Sequence, residues 1–153
     1  MGDMMKIKVS VKRKEDCNDL PLPAYATSGS SGMDLYADVR EDVIIRPGEI
    51  KCISAGIFLS IPEGYEAEIR PRSGLALKYG ITLVNTPGTI DSDYRGLLKI
   101  ILINLGKDDF TVRRGDRIAQ MVFKEYALAQ FVETHALDET ARAQGGFGHT
   151  GIS

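Results

Sequence analysis

A chain of 153 residues, 43% hydrophobic and 26% charged, has the size and make-up of one globular domain with a real core. Lys and Arg number 19 against 21 Asp and Glu, so no basic excess points to nucleic acid. The longest apolar run, Ile100 to Ile103, is far too short to cross a bilayer, and the N-terminus carries no signal-peptide core, so no membrane role is expected. Cys17 and Cys52, with His135 and His149 as the only histidines, lack the spacing of a zinc site or a disulfide framework. Free thiols in a reducing compartment, by default the cytoplasm, are the expectation.

Along the chain, Lys6 to Val11 alternates polar and apolar residues, which predicts a half-buried strand. Residues from Glu15 to Gly32 are loop-like, with Pro21, Pro23 and a Ser/Gly-rich run. Short β runs follow at Met33 to Ala37, Val43 to Ile45, Ile50 to Ala55, Ile57 to Ile61 and Tyr65 to Arg70, punctuated by Pro47-Gly48, Gly56 and Pro62-Glu63-Gly64. Ser73 to Gly80 holds helix formers between a capping residue, Ser73, and a glycine stop, which predicts one short helix. Beyond it come Ile81 to Val84, Leu97 to Leu105 (interrupted by Lys99, hence one exposed face), Phe110 to Val112, Ile118 to Phe123 and Ala129 to Val132. Many short strands at close spacing predict an all-β sandwich or barrel with one helix. Residues 1–140 read as the β domain and 141–153 as a glycine-rich tail with too little apolar surface to order itself.

Five stretches could carry chemistry. Asn85 to Gly96 contains a Pro87-Gly88 turn signal between β runs and predicts a hairpin whose return arm presents Asp91, Asp93, Tyr94 and Arg95; alternation sends both aspartates opposite to Ile90. Arg72, Ser73 and Gly74 lie where the helix begins, and unpaired backbone N–H groups there suit phosphate, although Ser73 can equally be a plain cap. Asp34 opens a strand after Gly32 and can reach a hydrated cation or simply serve a turn. Gly115 to Gln120 is a turn into a strand, with Gln120 a polar contact. Arg142 to Gly151 is glycine-rich backbone able to wrap phosphate, with Phe147 isolated from any core and able to stack on a base. No Walker A sequence is present.

In this order, Ser31 to Asp38, Arg70 to Gly80, Asn85 to Gly96, Gly115 to Gln120 and Arg142 to Gly151 resemble the five motifs of the trimeric deoxyuridine triphosphatase (dUTPase) family. The resemblance implies a jelly-roll-like β domain assembled as a homotrimer with three shared active sites. It implies Mg²⁺-dependent hydrolysis of dUTP to dUMP and pyrophosphate, which keeps uracil out of DNA and supplies dUMP for thymidylate. By the same resemblance Asp91 is the general base for water attacking the α-phosphorus. Arg72, Ser73, Gly74 and Gln120 contact phosphates, and Asp34 supports the hydrated metal indirectly. Asn85 with Gly88, Thr89 and Ile90 reads the uracil edge, and Tyr94 lies under the deoxyribose and excludes a 2′-hydroxyl. Arg142, Phe147, Gly148 and Thr150 belong to a tail that closes over the site. Ala143-Gln144 and His149 depart from the family pattern and bear only on the tail contacts. The competing readings are a dCTP deaminase or bifunctional deaminase-dUTPase, which would place a glutamate just past the hairpin where Ser92 and Asp93 stand, and a non-catalytic nucleotide-binding module, for which Asp91 would be superfluous.

Overall fold

The computed structural model describes residues 6–147. The described chain forms ten strands and one helix: β1 (Ser10–Arg13), β2 (Met33–Tyr36), β3 (Val43–Ile45), β4 (Ile50–Ser60), β5 (Tyr65–Arg70), α1 (Ser73–Tyr79), β6 (Ile81–Leu83), β7 (Gly88–Ile90), β8 (Leu97–Asn104), β9 (Phe110–Val112) and β10 (Arg117–Glu125). They make a sheet in the order β1-β4-β8-β6, a second in the order β2-β10-β5-β7, and a small β3-β9 pair. Every named pairing is antiparallel. The expected all-β architecture with one short helix is what the chain adopts.

The core follows from strand alternation. In β8, Leu98, Ile100, Leu102 and Asn104 are buried while Lys99 between them is exposed. Ala67 and Ile69 from β5, and Met121 from β10, belong to the same buried cluster as Leu98, Ile100 and Leu102, so the two sheets share one core. Asn104 is wholly buried because its amide closes a loop: Nδ2 donates to the carbonyls of Ile45 and Asp108, and Oδ1 accepts from the Gly106 N–H at 2.8 Å.

Several expectations are corrected by pairing. The first strand begins at Ser10, not Lys6, because Ser10 already faces Ser60, the last residue of β4, and earlier residues have no partner to continue the ladder. Gly56 does not separate two strands. It sits in a register irregularity of the single strand β4 at φ +68°, and a Cβ there would fall 2.7 Å from Cys17 Sγ. Ala129 to Val132 is not a strand within this chain: no strand pairs with it, and Leu128, Phe131 and Val132 are 86%, 97% and 76% exposed. Ser73 is the first helical residue rather than the cap. Arg72 takes the cap position in extended conformation without a side-chain bond, while Gly80 ends the helix in the left-handed conformation as expected.

The largest correction concerns residues 85–96. No ladder joins β6 to β7. Instead β6 pairs with β8 in the first sheet and β7 with β5 in the second, so the segment crosses between sheets and returns. Asp91 and Asp93 consequently lie in a turn closed by the Tyr94 N–H to the Asp91 carbonyl at 3.1 Å, and strand alternation does not orient them.

Candidate active site

The second sheet aligns three of the five stretches. β10 runs between β2 and β5, so Gln120 faces Asp34 on one side and Arg70 on the other. The next row reads Met33, Met121, Ile69 and Gly88. Met121, Ile69 and Gly88 are buried, so this second row faces the core and the Asp34–Gln120–Arg70 row turns to the opposite face. The row reaches the half-exposed Arg72 at the mouth of α1.

Hydrogen bonds hold that corner in one arrangement. Arg72 Nε donates to Asp34 Oδ1 at 2.8 Å and Nη1 to the Arg117 carbonyl at 3.1 Å, while the Arg117 guanidinium lies 3.5 Å from Asp34 Oδ2. Fixing the guanidinium at two points leaves Nη2 for a ligand without ordering a flexible side chain. Gln120 Nε2 donates to the Pro71 carbonyl at 3.0 Å, and a Cβ at position 32 would sit 2.4 Å from Gln120 Oε1, so Gly32 is what lets the carboxamide lie there. A groove of about 370 Å³ opens beside this corner, lined among others by Arg72, Arg113, Arg117, Tyr79 and Phe110. Three arginines against the single carboxylate of Asp116 in its lining favour an anion there. Ser73 and Gly74, between the lining residues Arg72 and Leu75 in the chain, are exposed but do not line the groove. Arg70 is committed elsewhere: its Nε donates to Glu68 at 2.9 Å, and Lys124 joins the same carboxylate at 3.1 Å. Hydrogen bonds from Arg70 and then Lys124 hold the Glu68 carboxyl below its usual range.

The crossing segment supplies the second part. Gly88 is buried against Ile69, and the Asn85 amide nitrogen lies 3.2 Å from where a Gly88 Cβ would stand, so a side chain there would press the carboxamide back by a few tenths of an ångström. Thr86 Oγ1 donates to the Leu83 carbonyl at 2.6 Å and steadies the approach. Asn85, Thr89 and Asp91 are exposed and Ile90 is half-buried. Tyr94 is 45% exposed and its hydroxyl donates to the Leu97 carbonyl at 3.1 Å. Among the described residues no hydrogen bond or ion pair links this segment to the Arg72–Asp34 corner. The tail stands apart from both: Arg142 Nε donates to the Gly145 carbonyl at 2.8 Å, and the Phe147 side chain is fully exposed. Gly148 and Thr150 lie outside the described residues.

A feature that sequence reading missed lies behind β2. Asp38 has a side chain only 2% exposed, with Oδ1 accepting from Arg114 at 2.9 Å and Oδ2 from Lys14 at 3.0 Å and Ser54 at 2.8 Å. Burial alone would raise its pKa, but these donors together outweigh it and hold the carboxyl far below the usual range. Arg114 also binds Asp19 through two nitrogens at 2.8 Å. The only sequence hint was a carboxylate between the buried Ala37 and Val39.

Asp16, Cys17 and Asp38 offer three donor atoms within 4.8 Å of one another, one candidate cation cluster among the described residues. Its chemistry does not suit Mg²⁺. Lys14 and Arg114 already neutralise it, burial pushes the Cys17 thiol up toward its protonated form, and a thiol is a soft ligand. Asp34 offers only the hard oxygen donors that a cation keeping its water takes, although Arg72 at 2.8 Å and Arg117 at 3.5 Å share the same carboxylate.

Comparison with known proteins identifies the family. The dUTPase family profile matches residues 18–151. A deoxyuridine 5'-triphosphate nucleotidohydrolase of Thermoanaerobacter sp. (strain X514) is 60% identical over 148 residues, covering 97% of this chain and all of that protein. The protein of the same name from Ehrlichia canis (strain Jake) is 57% identical over 141 residues, covering 91% of this chain and 92% of its own length. The solved Staphylococcus bacteriophage 80alpha dUTPase with dUPNHPP superposes with a TM-score of 0.82 at 24% identity, over 96% of this chain and all of that one, and so speaks to the fold. A profile match across the β domain and tail, and relatives alike over their whole length, lead to one conclusion: the chain belongs to the dUTPase family.

Proposed function

We infer that this protein hydrolyses dUTP to dUMP and pyrophosphate. The observation that carries the reading is the pairing of Asp34 with Gln120 beside a doubly held Arg72, residues from three separated stretches brought together next to a groove that Arg72, Arg113 and Arg117 line. Arg72, Ser73, Gly74 and Gln120 bind the phosphate chain. Asp91 accepts the proton of a water whose oxygen attacks the α-phosphorus; that P–O bond forms as the bond to the pyrophosphate oxygen breaks. Its exposure on a short turn supports access to such a water, and a positioned base contributes about 10²–10⁴-fold. Mg²⁺ neutralises charge on the phosphates when bound, with Asp34 holding its water shell.

Asn85 with the backbone of Gly88 to Ile90 pairs with the uracil edge, and Tyr94 backs the deoxyribose. Pairing a buried polar edge rejects a wrong base by about 10⁴–10⁵, more than shape alone. The active sites are shared in a homotrimer. Support comes from the exposure of Leu128, Phe131, Val132 and Leu137, apolar side chains that a neighbouring subunit would cover. Arg142, Phe147, Gly148 and Thr150 close over the bound nucleotide. Two free cysteines are compatible with a reducing, cytoplasmic setting.

The test is pyrophosphate release, with Mg²⁺, from dUTP, dCTP, dTTP and UTP in parallel with product identification. Release from dUTP alone, giving dUMP, is expected. Ammonia from dCTP would move the protein to a deaminase, and tight dUTP binding without product would make it a non-catalytic module.

A further inference from the structure

The loop between β7 and β8 holds Tyr94 in a way that depends on its neighbour but one. A Cβ on Gly96 would stand 2.3 Å from the Tyr94 hydroxyl oxygen, 2.4 Å from Cζ and 2.8 Å from Cε2, all closer than side chains tolerate. The tyrosine ring therefore occupies the space that any side chain at position 96 would need. Gly96 has no left-handed φ, so its backbone does not itself call for glycine. What calls for glycine is the ring.

Four bonds complete the clamp. The Tyr94 hydroxyl donates to the Leu97 carbonyl at 3.1 Å, tying the far end of the ring to the start of β8. Arg95 Nη1 donates to the Ser92 carbonyl at 2.6 Å and the Tyr94 carbonyl at 3.0 Å, bracing the loop from outside. The Tyr94 N–H closes the turn onto the Asp91 carbonyl at 3.1 Å. The ring has one seat, bounded by a missing side chain below and a carbonyl tether at its tip.

We propose that Gly96 is a specificity-determining residue: by leaving room for the Tyr94 ring it sets the surface on which the sugar rests, and so the rejection of nucleotides bearing a 2′-hydroxyl. The proposal rests on the reading of Tyr94 as the residue beneath the sugar. A methyl at position 96 displaces the ring by about 1 Å, the gap between 2.3 Å and an ordinary contact of 3.4 Å. That is a large part of the room a hydroxyl oxygen needs. Exclusion by shape is worth about 10–200-fold, and all of it depends on where the wall stands.

The experiment compares the ratio of kcat/KM for dUTP over UTP in the wild type, Gly96→Ala, Tyr94→Phe, Tyr94→Ala and the Gly96→Ala/Tyr94→Ala double variant. Binding of dUMP and UMP by calorimetry gives the same ratio independently of turnover. Gly96→Ala is expected to lower the ratio about tenfold or more. Tyr94→Phe, which keeps the ring but cuts the tether, should lower it about fivefold and serves if Gly96→Ala fails to fold. The double variant should match Tyr94→Ala alone, because Gly96 acts only through the ring. A ratio unchanged in Gly96→Ala but reduced in Tyr94→Ala overturns the role of Gly96. A ratio unchanged in Tyr94→Ala overturns the reading of Tyr94 beneath it, and the proposal with it.

Discussion

Replacing Asp38 by alanine should destabilise the protein by about 3 kcal/mol at pH 7. Removing one partner of a buried ion pair costs about 3–5 kcal/mol, mostly because the remaining charge is left without its counter-ion. Here the carboxylate is 2% exposed and accepts from Lys14, Arg114 and Ser54. The two cations keep second partners, Asp16 and Asp19, and their side chains are 32% and 29% exposed, so water and those carboxylates absorb part of the loss and place it at the low end. At about 2–4 °C per kcal/mol for a chain of this size, the melting temperature falls by about 6–12 °C. The pH dependence has a definite sign. The folded-state pKa of Asp38 lies below the unfolded value near ~3.9, so its contribution is fully present above that value and fades as pH falls through the folded one. Thermal melts of wild type and variant, at one protein concentration from pH 8 to pH 2.5, should show a constant gap above about pH 5 and a shrinking gap below about pH 4. A gap under about 1 kcal/mol at pH 7, or one that widens as pH is lowered, would refute the argument.

Asp91→Asn should reduce turnover of dUTP by about 10²–10⁴-fold while leaving its binding largely intact; turnover equal to wild type removes Asp91 as the base. Deleting residues 141–153 should cut turnover at least about tenfold, because water is no longer excluded, with an unchanged melting temperature since none of residues 141–147 is buried; an unchanged rate takes the tail out of the mechanism. Gly32→Ala should displace the Gln120 carboxamide, whose oxygen lies 2.4 Å from the new Cβ, and weaken tripolyphosphate binding as much as Gln120→Ala does. Calorimetry that finds the alanine variant binding like wild type would show that Gln120 adjusts freely.

How far the sequence could be followed depended on whether a feature is local. Alternation in Leu97 to Leu105 and the Ser73 to Gly80 run specify strand and helix from neighbouring residues alone, and both formed nearly as expected, at Leu97–Asn104 and Ser73–Tyr79. The order of the five chemical stretches was equally legible, because the order of motifs survives any arrangement in space. Partnership was not. Nothing within Asn85 to Gly96 says that β7 abandons β6 for β5, since ladder hydrogen bonds are made by backbone groups that every residue carries alike. Ala129 to Val132 has strand composition, yet no strand of this chain pairs with it.

The candidate site divides in the same way. Residue type alone suggested phosphate at Arg72, a hydrated cation or a turn at Asp34 and a polar contact at Gln120, while the base role of Asp91 came from the family resemblance. Only the register of β10 between β2 and β5 put Gln120 beside Asp34 and turned Asp34 into the anchor of Arg72. Arg117, Gly32 and Gly96 entered through space alone: a carbonyl that receives Arg72, a void that admits Gln120, and a void that admits Tyr94. The sequence by itself determined which elements form and which chemical groups are available, because both follow from side chains and their immediate neighbours. The tertiary structure decided which groups meet and which glycines must stay bare, because those depend on atoms brought together from far along the chain.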